Sequence, residues 1–197
     1  MKTITPKQKR ALGAIAVICL VLFGALILLH DELRFIDSTF NNILNGYGTL
    51  AFPIASAISF LGSIYLVPLI FIAVLGILWR QKKRRETLIL AIAVLSNYAV
   101  VNIVKLLTNW PRPQDVLFSL EQTFPSAHAA TPFVLYVLGY LFLVKQPRKS
   151  TFIALVGVCL LIGFSRIIVN AHWLTDVLAG ILLAITWISG ALLFSKK

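Results

Sequence analysis

The chain has 197 residues, 59% of them hydrophobic and only 13% charged, with a mean hydropathy of +0.90. That composition excludes an ordinary soluble domain, whose surface needs about a quarter of its residues charged. The net charge of +11 raises nucleic acid as a partner, but the distribution of the charge argues against it.

In chain order, the first apolar run, Leu12 to Leu29, contains no charge. Basic residues precede it, as in a secretory leader. It is long for one, and His30, Asp31 and Glu32 follow where a small-residue cleavage site is needed, so it is expected to stay as a first spanning helix. The stretch 31–60 is mixed and interrupted by Gly46, Gly48 and Pro53, which predicts short interfacial helices along the membrane surface. Further uncharged runs cover Leu88 to Ile103, Phe152 to Phe164 and Val177 to Phe194. Roughly 20 apolar residues cross the hydrocarbon layer, so the pattern predicts an all-α integral membrane protein with six transmembrane helices. They fall at 11–29, 63–79, 87–107, 127–144, 151–169 and 174–194, with Pro68 and Pro132 tolerated near a helix start or inside a span. No repeat or long linker divides the chain, so 1–197 reads as a single domain. Cys19 and Cys159 sit in separate apolar runs, where they read as packing residues.

Fourteen of the eighteen basic residues then gather on one side. They are Lys2, Lys7, Lys9 and Arg10; Arg80, Lys82, Lys83, Arg84 and Arg85; Lys145, Arg148 and Lys149; and Lys196 and Lys197. The excess of Lys and Arg on cytoplasmic loops places both termini in the cytoplasm. The clusters read as topology determinants touching anionic headgroups. The other side keeps Arg34, Lys105, Arg112 and Arg166, with Asp31, Glu32, Asp37, Asp115, Glu121 and Asp176. Charges close to a membrane-spanning segment are costly and point to function.

Three segments on that second side hold most of the remaining polar chemistry. Lys105 through Arg112 and Pro113 close the third helix, Pro125-Ser126-Ala127-His128 opens the fourth, and Ser165-Arg166 through His172 to Asp176 joins the fifth to the sixth. Three cations in a partly dry site suit a phosphate dianion, because Arg donates bidentately and Lys supplies a compact charge. Ser126 at a helix start adds a hydroxyl beside free backbone amides. Two histidines divide the work of phosphoryl transfer, one attacking phosphorus and the other protonating the departing oxygen. Asp176, four residues after His172, shares its helix face and orients the imidazole.

Together these segments resemble the K-x6-R-P, P-S-G-H and S-R-x5-H-x3-D signature of the type 2 phosphatidic acid phosphatase family. That family includes bacterial phosphatidylglycerophosphatases and undecaprenyl pyrophosphate phosphatases. The resemblance spans Lys105 to Asp176 and continues through Gly180. It implies that His172 is a nucleophile forming a phosphohistidine, that Asp176 is its partner and that His128 is the general acid. It further implies that Lys105, Arg112, Ser126, Arg166 and the backbone of Ala127 hold the phosphate, with no metal and no cofactor. Ala127 stands where glycine is usual, which is tolerated unless the backbone there needs a positive φ. The implied location is a bacterial cell membrane, multi-pass, with the site facing the extracytoplasmic side.

The implied activity is hydrolysis of a terminal phosphate from a membrane lipid, either phosphatidylglycerol phosphate or phosphatidic acid. Undecaprenyl pyrophosphate is the alternative substrate. A transporter or non-catalytic headgroup binder is the alternative of another class, although a transporter is expected to keep its polar groups near mid-bilayer. The partners are a lipid phosphate and the surrounding lipids; nothing points to nucleic acid. His30 reads as interfacial, and Trp110, Trp173, Trp187, Tyr47 and Tyr65 as membrane-belt aromatics. Trp110 and Trp173 are also placed to line a lipid access route.

Overall fold

The structure, a computed structural model, describes residues 5–45, 48–113 and 122–195. The sequence expectations at Lys2, Gly46, Tyr47, Asp115, Glu121, Lys196 and Lys197 lie outside these residues. The described residues form helices without a strand: α1 (Pro6–Leu28), α2 (His30–Asn45), α3 (Gly48–Phe60), α4 (Leu66–Arg80), α5 (Arg84–Thr108), α6 (Ala127–Leu143), α7 (Lys149–Ile168) and α8 (Leu174–Ser195).

Local chemistry sets several boundaries. Thr5 caps α1 in a reciprocal capping box with Gln8, and Pro6 takes the first helical position, where its missing amide costs nothing. Asn109 ends α5 in the left-handed conformation at φ 52°, and Asn170 follows α7 at φ 56°; asparagine accepts this region at little cost. Pro53 does not interrupt α3 as expected but sits inside it, removing one amide donor without ending the helix.

The central helix is α6, which packs against α4, α5, α7 and α8 and buries eleven of its seventeen residues. By contrast α1 buries only Cys19 and Phe23, along the line where it meets α8. Large apolar side chains face outward all round the bundle, among them Val21, Ile72, Leu88, Leu106, Leu161 and Phe194. A continuous apolar girdle of this kind belongs against lipid tails, and the protein is a multi-pass membrane protein. Four helices, α1, α5, α7 and α8, are long and apolar enough to cross a bilayer by themselves. The other two expected spans are shorter, α4 at 15 residues and α6 at 17. At about 1.5 Å per residue they fall short of a ~30 Å layer, and α6 is walled mainly by protein.

The two ends of the bundle differ chemically. At one end Lys83 Nζ donates to the carbonyls of Phe142 (2.6 Å) and Leu143 (3.3 Å), and Arg85 Nη2 donates to that of Phe194 (2.7 Å). These basic residues therefore cap the carboxyl ends of α6 and α8, a role additional to topology. Arg84 also lies over the Trp79 ring, 5.2 Å from its centroid. The opposite end holds the close of α5, the start of α6 and the α7–α8 turn, with α2 and α3 against it. There α2 points Asp37 and Asn41 inward and exposes Phe35, Ile36 and Ile43. An inward polar pair and an outward apolar face suit a helix lying in the membrane interface.

Candidate active site

The close of α5 carries Lys105, whose Nζ donates to the carbonyls of Gln122 (2.5 Å) and Thr123 (3.2 Å). It thereby ties the approach to α6 onto the end of α5. Arg112, beyond the left-handed turn at Asn109, donates from Nη1 to the Ala171 carbonyl at 3.3 Å. Arg166, in the last turn of α7, donates from Nη1 to Ser59 Oγ at 2.5 Å. Each cation thus bridges a motif to a separate piece of chain.

Ser126 is the N-cap of α6, with extended backbone at φ −71° and ψ 114°. Its carbonyl takes the first helical bonds from Ala129 and Ala130, leaving the amides of Ala127 and His128 without an intrahelical acceptor. The Ser126 hydroxyl is fully buried and has no hydrogen-bond partner among the described residues. Ala127 begins the helix, and the non-glycine residues with positive φ are elsewhere, so a methyl group is accommodated where glycine is usual. Glycine matters instead at position 180. A Cβ there would lie 2.6 Å from the Ser126 carbonyl oxygen and 2.9 Å from Ala129 Cβ, so α8 approaches the start of α6 only because the side chain is absent.

The α7–α8 turn holds His172 through a nearly complete set of backbone bonds. The amides of Ala171 and His172 donate to the Arg166 carbonyl, that of Trp173 to Asp176 Oδ2 at 2.8 Å, and that of Thr175 to Asp37 Oδ1 at 2.9 Å. His172 Nδ1 lies 3.3 Å from Asp176 Oδ2 and 3.2 Å from Thr123 Oγ1, and the Thr123 hydroxyl also donates to Asp176 Oδ2. Nδ1 and Nε2 occupy opposite edges of the ring, so Nε2 is the nitrogen left for the cavity that His172 lines. Burial, followed by the charges of Lys105, Arg166 and Arg112, holds the His172 pKa well below the usual histidine value. Its imidazole is therefore neutral at pH 7.

One cavity of about 570 Å³ collects Lys105, Arg112, Ala127, His128, Arg166 and His172 on its walls. Ser126 and Asp176 stand just behind, both buried. All eight residues singled out in the sequence thus lie at one place. The cavity continues between α4 and α5 over apolar side chains, Val67, Pro68 and Phe71 facing Val94 and Leu95. Among the described residues no group of three or more His, Cys, Asp or Glu is placed to hold a metal ion.

Four further residues escape sequence reading: Thr123, Asp37, Asn41 and Ser59. Thr123 stands three places before Ser126, and proximity to the motif was its only signal. The others come from distant chain with no spacing to mark them. The tryptophans make contacts that the sequence does not mark. Trp110 stacks on His30 at 3.4 Å between centroids, and Trp173 Nε1 donates to the Pro111 carbonyl at 3.0 Å. Neither lines the cavity. Trp187 Nε1 donates to Ser96 Oγ at 2.7 Å, joining α8 to α5.

The pattern of the PAP2 superfamily matches residues 86–197, more than half of the chain. The chain belongs to that superfamily. Its fold is similar to that of a transmembrane PAP2-type phosphatidylglycerolphosphate phosphatase from Bacillus subtilis, with a TM-score of 0.79 at 22% identity over 89% of this chain and 93% of that one. It is also similar to LpxE of Aquifex aeolicus, with a TM-score of 0.65 at 24% identity over 80% of this chain and 94% of that one. No curated protein sequence matches the chain.

Proposed function

We propose that the protein is a metal-independent phosphatase that removes a terminal phosphate from a membrane lipid through a phosphohistidine on His172. The observation that carries this reading is the two-part lining of one cavity: cations and both histidines at one end, an apolar cleft between α4 and α5 at the other. A phosphate joined to an acyl chain has the same two-part character. Membership of the PAP2 superfamily supports the reaction class.

In this mechanism Lys105, Arg112 and Arg166 neutralise the phosphate oxygens, the task a divalent cation performs elsewhere. The Ser126 hydroxyl and the Ala127 amide add donors. His172 Nε2 attacks phosphorus while the bond to the leaving oxygen breaks, and His128 delivers a proton to that oxygen. Asp176, accepting from Nδ1–H, keeps the lone pair on Nε2 and stabilises the ring as it gains charge. Water, deprotonated by His128, then attacks phosphorus, the P–N bond breaks and inorganic phosphate leaves.

The membrane arrangement belongs to the same proposal. The termini, α4's close and the α6–α7 connection carry the basic clusters, so α4 and α6 complete six crossings with both termini cytoplasmic. The cavity then opens toward the extracytoplasmic side of a bacterial cell membrane. A glycerophospholipid monoester, phosphatidylglycerol phosphate or phosphatidic acid, is the preferred substrate, in keeping with the stated activity of the Bacillus subtilis neighbour.

Phosphate release from phosphatidylglycerol phosphate, phosphatidic acid and undecaprenyl pyrophosphate by the purified protein, with and without EDTA, tests the proposal. Turnover is expected to be insensitive to EDTA and to fall by at least about three orders of magnitude in His172→Ala. Persistent activity in that variant rejects the nucleophile.

A further inference from the structure

Asp37 belongs to α2, outside residues 86–197 that carry the superfamily pattern. It is only 2% exposed. A carboxylate is costly to bury unless its oxygens are hydrogen-bonded, and here both are. Oδ1 accepts the backbone amide of Thr175 at 2.9 Å and Oδ2 accepts the Thr175 hydroxyl at 2.6 Å. Thr175 is the second residue of α8, immediately before Asp176 and three after His172. One turn further along α2, Asn41 Nδ2 donates to Asn170 Oδ1 at 3.2 Å and sits 3.5 Å from the His172 carbonyl. The interfacial helix therefore grips the turn carrying His172 from behind, at both of its ends. Asp37 does not line the cavity.

We infer that Asp37 is a positioning residue: through Thr175 it fixes the start of α8, and so the His172 ring and the Asp176 carboxylate, without touching substrate. The physical reason is a matter of tolerance. His172 reaches its partners at 3.2–3.3 Å, and a helix start free to shift by about an ångström would break that alignment, a displacement that costs on the order of a hundredfold in rate. The helix amino terminus favours a carboxylate at this spot, and α2, resting on the bilayer surface, supplies a fixed platform for it. Lys105 and Arg166 hang from α5 and α7, Arg112 meets the turn only at the Ala171 carbonyl, and the hydrogen bonds of Asp37 go to Thr175.

This inference rests on the phosphatase reading, and the experiment separates the two. Wild type, Asp37→Ala, Asp37→Asn, Thr175→Val and the Asp37→Ala/Thr175→Val double variant are assayed on phosphatidic acid in detergent micelles. Hydrogen exchange of the segment 168–178 is followed in the same samples. Asp37→Ala is expected to lower kcat by about 10- to 100-fold with KM within about threefold, and to speed exchange at Thr175. Asp37→Asn still offers an acceptor to the Thr175 amide, so it should retain activity within about threefold. The double variant should be little worse than Asp37→Ala, because Asp37→Ala already removes both bonds to Thr175 and Thr175→Val removes only the hydroxyl one. Equal losses in Asp37→Ala and Asp37→Asn, a rise in KM with kcat intact, or unchanged exchange in Asp37→Ala would each overturn the inference. If Asp37→Ala does not fold, near-wild-type Asp37→Asn together with a smaller selective kcat loss and faster exchange over 168–178 in Thr175→Val, which loses only the hydroxyl bond, still supports it, and a Thr175→Val unchanged in both kcat and exchange rejects it. A wild-type protein inactive on every lipid phosphate sinks the phosphatase reading, while exchange still decides whether Asp37 holds the turn.

Discussion

Every group proposed to touch the phosphate or the leaving oxygen lies in residues 86–197, whereas α1 to α4 supply no such group. Yet Asp37 and Asn41 hold the His172 turn, Ser59 accepts from Arg166, and α4 forms one wall of the apolar cleft. Gly62, between α3 and α4, leaves room for His128: a Cβ there would lie 2.6 Å from Ile162 Cγ2 and 3.3 Å from His128 Cδ2. The contrast teaches that a reactive constellation and its alignment can be encoded in different stretches of one chain. Residues that react are marked by type and spacing; residues that align them are marked only by where the fold puts them.

Changes in the two halves should therefore differ in size and in the constant they affect. After loss of the nucleophile itself, the largest effect expected is for His128→Ala, a fall in kcat of about 10²- to 10⁴-fold with KM little changed, read from steady-state turnover. If the leaving-group proton came from elsewhere, the loss would be under tenfold. Next comes Gly62→Val in the other half. Its added carbons press on Ile162 and the His128 ring, and kcat should fall roughly 10- to 100-fold in a protein that still folds. An unaffected rate would show that the amino-terminal helices merely enclose the site. A smaller change is expected for Ser59→Ala, which removes an acceptor from Arg166 and should raise KM about three- to tenfold with kcat nearly constant. The smallest effect sharpens the electrostatic side of the comparison. Burial and three cations depress the His172 pKa, so its imidazole stays neutral as pH falls through 6.5. Between pH 7 and pH 6, kcat/KM, corrected for ionisation of the substrate, should drop by less than about twofold. A break near 6.5 that persists in His128→Ala would contradict this.

The helix limits in the spanning regions were legible because long uncharged runs and their basic flanks are one-dimensional signals: the expected 174–194 became Leu174–Ser195, and 127–144 became Ala127–Leu143. Convergence of the three motifs was legible too, since the expected alternation of crossings brings their ends to one face, and one cavity collects them. The stretch 31–60 was read less well. Its mixed, interrupted composition pointed to interfacial helices, but Pro53 inside α3 and the inward-facing Asp37 have no counterpart in local composition. An acid beside apolar residues looks like any interfacial charge until its partner 138 positions away is known. The stacking of Trp110 on His30 was hidden for the same reason, since a ring partner 80 positions away leaves no trace in sequence.

Sequence by itself determined the solvent and the superfamily and marked the residues proposed to react, because hydrocarbon demands uninterrupted apolar helices and phosphoryl transfer demands particular side chains. Tertiary structure alone decided which nitrogen of His172 faces the cavity, how Thr123 and Asp37 constrain it, and that the cavity runs on between α4 and α5. Those features depend on contacts between segments far apart in the chain, and contacts of that range leave no periodicity to read.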